Sequence, residues 1–214
     1  MMGKRLHGLY AITGDSTGEA LRKQVTEALE GGIALLQYRD KSRDSSVRKE
    51  EAQALLALCR SSGVPLIIND DIELAAAVGA DGVHLGRDDG SIETARRLLG
   101  PKAIIGSSCY NDFELAVDAQ RRGADYVAFG RFFPSTTKPQ AIQADEQLLR
   151  RGKQELGVPM VAIGGITPEN GAALVAAGAA MLAVVDALFG QPDITRACAS
   201  FHRHFRDNLE DPPR

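Results

Sequence analysis

Short apolar runs alternate with longer amphipathic stretches along the whole chain, and this alternation restricts the fold more than any other feature. The strand-like runs are GLYAIT (8–13), ALLQYR (34–39), PLIIN (65–69), DGVHLG (81–86), KAIIGSS (102–108), DYVAFG (125–130), PMVAIGG (159–165) and AMLAVV (180–185). Between them, EALRKQVTEALEGG (19–32), EEAQALLALCRSSG (50–63) and ELAVDAQRRG (114–123) carry apolar residues at helical spacing and close on glycine. The joins GGI (31–33), GAD (79–81), GAD (123–125) and GAA (178–180) each end a helix and begin a strand. Regular β–α alternation implies a parallel sheet covered by helices. Eight such units in 214 residues predict one α/β domain over 1–214, a closed (β/α)8 or TIM barrel, with 206–214 as a frayed polar tail. An open doubly wound sheet is the alternative, and the missing G-x-G-x-x-G after the first strand counts against it.

In such a barrel, functional side chains stand at the carboxyl ends of the strands. Residues two apart on a strand share a face, so Gln37, Arg39 and Lys41 in LLQYRDK point one way while Tyr38 and Asp40 point the other. A strand running out into solvent would also end in charge. The other ends, however, bring a division of labour. The third run closes on Asn69, Asp70 and Asp71, and the fourth on His84 followed by Gly86, Arg87, Asp88 and Asp89. The fifth ends in Ser107 and Ser108, and the sixth leads into GRFFPSTTKPQ (130–140). Two acidic clusters suit a hard divalent cation such as Mg2+. Arg39, Lys41 and Lys138 supply fixed positive charge for an anion. Gly164 and Gly165, with the turn after the last strand, fall where barrels keep a phosphate, although a Gly-Gly pair serves equally as a tight turn. Ser135, Thr136 and Thr137 offer hydroxyl donors. Two phosphate-type sites on one rim, one of them with metal, indicate a reaction joining two phosphorylated molecules.

Composition narrows the setting. The formal net charge is −3, which argues against a broad nucleic-acid surface. Three scattered cysteines, Cys59, Cys109 and Cys198, form no CxxC pair and suggest reduced thiols in a cytoplasm instead of a disulfide framework or zinc site. The first residues lack a secretory h-region. Residues 172–189 are rich in alanine, but Gly178 and Asp186 make them a helix and a strand, so no membrane partner is expected. Whether copies of the chain associate is left open by the sequence.

The motifs QYRDK, LIINDDIELAAAVGADGVHLGRDD, IIGSSC, ADYVAFGRFFPSTTK and VPMVAIGGI, in this order, resemble the thiamine-phosphate synthase family from about Leu9 to Phe189. The resemblance implies a transferase that joins a pyrimidine diphosphate to a thiazole phosphate, releasing pyrophosphate through a dissociative, Mg2+-assisted substitution. It implies that Gln37, Arg39, Lys41, Asn69, Ser108 and Lys138 hold the pyrimidine diphosphate, with Tyr38 and Asp40 included in the substrate-binding stretch, and that Arg39, Lys41, Ser108 and Lys138 serve the reaction. Asp70 and Asp89 are implied as ligands of one Mg2+ per subunit. Ser135, Thr136, Thr137, Gly165, Val185 and Asp186 are implied around the thiazole phosphate. The chain departs from the commoner family pattern at Arg87, Ser135 and Asp186; a carboxylate at 186 repels a phosphate, so backbone N–H groups are expected to make that contact. A thiazole tautomerase on the same barrel would not need the diphosphate clamp. An isomerase or epimerase would need an acid/base pair across the mouth, and a non-catalytic phosphate-binding barrel would need no metal pair. No Ser/His/Asp or Cys/His nucleophile is apparent. Cys109 reads as structural, and His202 and His204, two apart on a helix, fall on different faces.

Overall fold

A computed structural model describes residues 6–40, 44–134 and 142–206. Its strands are β1 (Gly8–Ile12), β2 (Leu35–Tyr38), β3 (Leu66–Asn69), β4 (Gly82–Leu85), β5 (Ile104–Tyr110), β6 (Tyr126–Gly130), β7 (Met160–Ile163) and β8 (Met181–Val184). The helices are α1 (Gly18–Glu30), α2 (Ser45–Ser62), α3 (Ile72–Val78), α4 (Ile92–Leu99), α5 (Phe113–Arg121), α6 (Glu146–Glu155), α7 (Gly171–Ala177), α8 (Asp186–Phe189) and α9 (Ile194–Arg206). The strands are parallel and close in chain order, β8 pairing with β1 through Tyr10↔Ala183. Closure rules out the open doubly wound sheet, and each strand lies within a run expected from the sequence except β5, which continues two residues past 108 to Tyr110. The tail from 207 onward lies outside the described residues.

Side-chain alternation divides the core in two. Tyr10, Ile12, Leu35, Ile67, Tyr126, Ala128, Val161, Met181 and Ala183 fill the barrel interior. Their neighbours in sequence, among them Leu9, Ala11, Leu36, Tyr38, Ile68, Val127 and Leu182, face the helices. The interior holds the Tyr126 ring because Gly106 stands beside it in register; a Cβ there would lie 2.0 Å from the ring. Carboxylate and hydroxyl caps fix several helix starts: Asp44, Asp71, Ser91, Asp112 and Asp145 each accept from a backbone N–H in the first turn. The alanine-rich segment resolves into α7, β8 and α8, and no helix among the described residues is long and apolar enough to cross a membrane.

Candidate active site

A cavity of about 650 Å³ opens at the carboxyl ends of the strands, and every strand contributes to it or to the loop after it. On the β2 side, Gln37 and Arg39 line it. The strand end is pinned by Thr13, whose N–H donates to Gln37 O at 2.9 Å and whose Oγ1 accepts from Arg39 N at 2.9 Å. Tyr38 and Asp40 do not line the cavity. The pleat turns Tyr38 outward to α2, where its hydroxyl donates to the buried Glu51 at 2.8 Å, with Asp40 Oδ2 at 3.5 Å. Both expected substrate-binding residues, Tyr38 and Asp40, thus stand on the helix side of the wall. Lys41 lies outside the described residues.

Three carboxylates, Asp70, Asp88 and Asp89, line the β3–β4 side together with Asn69. Asp70 adopts φ +66, uncommon for a residue with a side chain, and its N–H donates to His84 O at 2.8 Å. Asp89 is held by Gly86 N, which donates to its Oδ2 at 2.8 Å. Asp71 belongs elsewhere, accepting from Leu74 N to cap α3 and pairing with Arg48 at 3.0 Å. Arg87 stands over the Tyr110 ring, 5.2 Å from its centroid, at the cavity edge.

The floor is a polar chain whose ends, Gln37 and Ser108, were expected from the sequence and whose two tyrosines were not. Gln37 Nε2 donates to Tyr10 Oη at 2.7 Å, and Tyr10 meets the Tyr126 hydroxyl at 2.8 Å. Tyr126 contacts His84 Nδ1 at 3.0 Å, and His84 Nε2 contacts Ser108 Oγ at 2.9 Å. His84 also stacks on Tyr126, 5.6 Å between centroids. Burial raises both phenols well above their ordinary value, so they remain protonated. Tyr10 and Tyr126 sit inside apolar runs, where nothing but their inward register could have marked them. Arg131, after β6, is a third missed residue: a cation lining the cavity.

Across the mouth, Gly164, Gly165, Val185 and Asp186 face the same space. Gly165 has φ +62, and a Cβ would fall 2.3 Å from Pro134 O, so the loop after β7 packs against the loop after β6 as bare backbone. Asn170 Nδ2 donates to Gly165 O at 3.0 Å and holds the turn. Asp186 begins α8 and is exposed. Ser135, Thr136, Thr137 and Lys138 lie outside the described residues. Cys109 is buried behind the wall with its thiol pushed up to about 12, chiefly by desolvation, which makes it a poor nucleophile. His204 contacts Pro168 O at 2.8 Å while His202 borders Gly32, so the two face different neighbours.

A family model described as thiamine monophosphate synthase matches residues 9–188. The thiamine-phosphate synthase of Thiobacillus denitrificans is 54% identical, over 95% of this chain and 97% of that protein. That of Nitrosococcus oceani is 51% identical, over 99% of each. The thiamine phosphate pyrophosphorylase of Pyrococcus furiosus superposes with a TM-score of 0.85 at 33% identity, covering 96% of this chain and 98% of that one. With a closed barrel, a cavity at its strand ends and this breadth of likeness, the chain belongs to the thiamine monophosphate synthase family, and it is a transferase.

Proposed function

We propose that the chain condenses a 4-amino-2-methylpyrimidine bearing a diphosphooxymethyl group with a thiazole phosphate, giving thiamine phosphate and pyrophosphate. The observation that carries this reading is the joint presence in one cavity of Arg39, Asn69, Asp70 and Asp89 on one side and the bare-backbone loop at Gly164–Gly165 on the other. A thiazole tautomerase would have no use for the first set, and a phosphosugar isomerase would need an acid/base pair.

The donor set fits Mg2+: Asp70 and Asp89 present hard oxygen ligands to the same space. Among the described residues no three metal-binding side chains gather into a cage, and Mg2+ is ordinarily held by one or two carboxylates together with substrate phosphates. When bound, Mg2+ would neutralise the diphosphate. Arg39 would stabilise negative charge as the carbon–oxygen bond lengthens, with Lys41 and Lys138 as the remaining cations of the clamp. Ser108 and Asn69 would hold the same half of the substrate. Positioning and electrostatics then carry the reaction, with the thiazole nitrogen as nucleophile and no covalent enzyme intermediate. Backbone N–H groups near Gly165 and Val185, with Ser135, Thr136 and Thr137, would hold the thiazole phosphate while the exposed Asp186 side chain turns to solvent. The three buried cysteines and the absence of a spanning helix among the described residues support a cytoplasmic enzyme of small molecules.

The test is direct. Purified protein with both phosphorylated precursors and Mg2+ should yield thiamine phosphate and pyrophosphate in equal amounts. Turnover of the thiazole alone, without condensation, would overturn the proposal.

A further inference from the structure

We propose that the chain Gln37–Tyr10–Tyr126–His84–Ser108 is a one-way hydrogen-bond relay, in which Tyr10, Tyr126 and His84 act as positioning residues that give the two cavity-facing ends opposite polarity. The order follows from counting protons. Gln37 Nε2 has only hydrogens to offer, so Tyr10 Oη accepts there. Tyr10 has one hydroxyl proton, and its remaining contact among the described residues is Tyr126. Tyr10 must therefore donate to Tyr126, or leave a buried hydroxyl proton without an acceptor, which is costly. With that contact used as an acceptor, Tyr126 spends its own proton on His84 Nδ1. His84 then carries its proton on Nε2 and donates it to Ser108 Oγ. An imidazolium, or a proton on Nδ1, would force Tyr126 to donate back to Tyr10 and orphan the Tyr10 proton.

The two ends inherit fixed roles. Gln37 has committed its amide N–H to Tyr10, and its carbonyl oxygen has no partner among the described residues. Ser108 has accepted from His84, so its hydroxyl proton is free to donate. The floor thus offers an acceptor from β2 and a donor from β5. A ring with an amine donor beside a ring-nitrogen acceptor meets that pattern, and an oxo-pyrimidine with the reverse pattern does not. This ligand assignment rests on the proposed function, whereas the donor order does not.

The order is read in the protein without substrates. Two-dimensional 15N–1H NMR of the imidazole near neutral pH, with the His84 signals identified by their loss in His84→Asn, should give the tautomer protonated on Nε2. A proton on Nδ1, in the other tautomer or the imidazolium, would overturn the relay. Tyr126→Phe should mix the tautomers and weaken the pyrimidine diphosphate, titrated calorimetrically with Mg2+, by about tenfold, the loss of roughly one oriented hydrogen bond. Tyr10→Phe should leave the tautomer in place, because Tyr126 still donates, yet weaken the same ligand by releasing Gln37. Thiazole phosphate affinity should stay within about twofold in both. If Tyr126→Phe kept both the tautomer and the affinity, positioning by the relay would be excluded. A failure to form thiamine phosphate would leave the NMR result standing by itself.

Discussion

At the scale of single residues, Arg39 separates chemistry from stability most clearly. It lines the cavity while its backbone N–H, not its guanidinium, ties the strand end to Thr13. Arg39→Ala should lower kcat/KM by about a hundredfold or more, as loss of one charge-stabilising donor does. Its urea midpoint should move by the equivalent of less than about 1 kcal/mol. Activity near that of the parent would remove Arg39 from the clamp. Asp186 makes the opposite case. Two unit charges about 4 Å apart in a water-like environment repel by about 1 kcal/mol, which would weaken the thiazole phosphate by about fivefold if the carboxylate faced it. With the side chain turned to solvent, Asp186→Asn should leave KM for the thiazole phosphate within about twofold, and a fall of about fivefold in KM would put the carboxylate against the phosphate. Which residues the sequence disclosed follows from register. Gln37 and Arg39 are polar residues in an apolar strand, and the period of two was enough to aim them inward. Tyr10 and Tyr126 lie in apolar strands where an aromatic is ordinary, and only the closure of the barrel brings their hydroxyls together.

At the scale of elements, strand order, helix order and all strand limits but the end of β5 were legible because each unit repeats one local pattern. What the helices do to one another was not. Glu51 is an unremarked acid in a polar helix, yet it accepts from Gly18 N and from the Tyr38 hydroxyl, both at 2.8 Å, and so joins α1, α2 and β2. Its partners lie far away in sequence, which periodicity cannot see. The α4–α5 contact is testable by pH. Arg122 donates to both carboxylate oxygens of Glu93 at 2.8 Å and holds that carboxyl down at about 2 from an ordinary 4.5. A depressed carboxyl contributes stability above its unfolded value and loses it as pH falls toward the folded one. The stability gap between the parent and Arg122→Ala should therefore be widest above about pH 5 and close progressively toward pH 3, and it should narrow in salt because the pair is exposed. Urea midpoints across that range give the answer, and a gap that widened in acid would contradict the assignment.

At the scale of the whole molecule, the cysteines report on integrity. Cys59, Cys109 and Cys198 are buried in different parts of the helix-facing core, and desolvation pushes their thiols up to about 12, 12 and 11. In native buffer a disulfide reagent should label none of them rapidly, and all three should react together once denaturant opens the barrel. Fast labelling of one thiol would reveal a local opening. The seam between β1 and β8 has a further consequence. Gly8 N–H donates to Ala180 O, and α9 continues the join by setting Cys198 against Gly31 on the α1 side. As the chain leaves the ribosome, the first strand has one edge covered by its neighbour and the other without a partner until the eighth strand emerges. For most of synthesis the nascent sheet therefore carries two bare edges, each able to recruit a strand from another chain. Slow translation late in the message should lower soluble yield more than slow translation early, because it lengthens the interval in which those edges wait for each other.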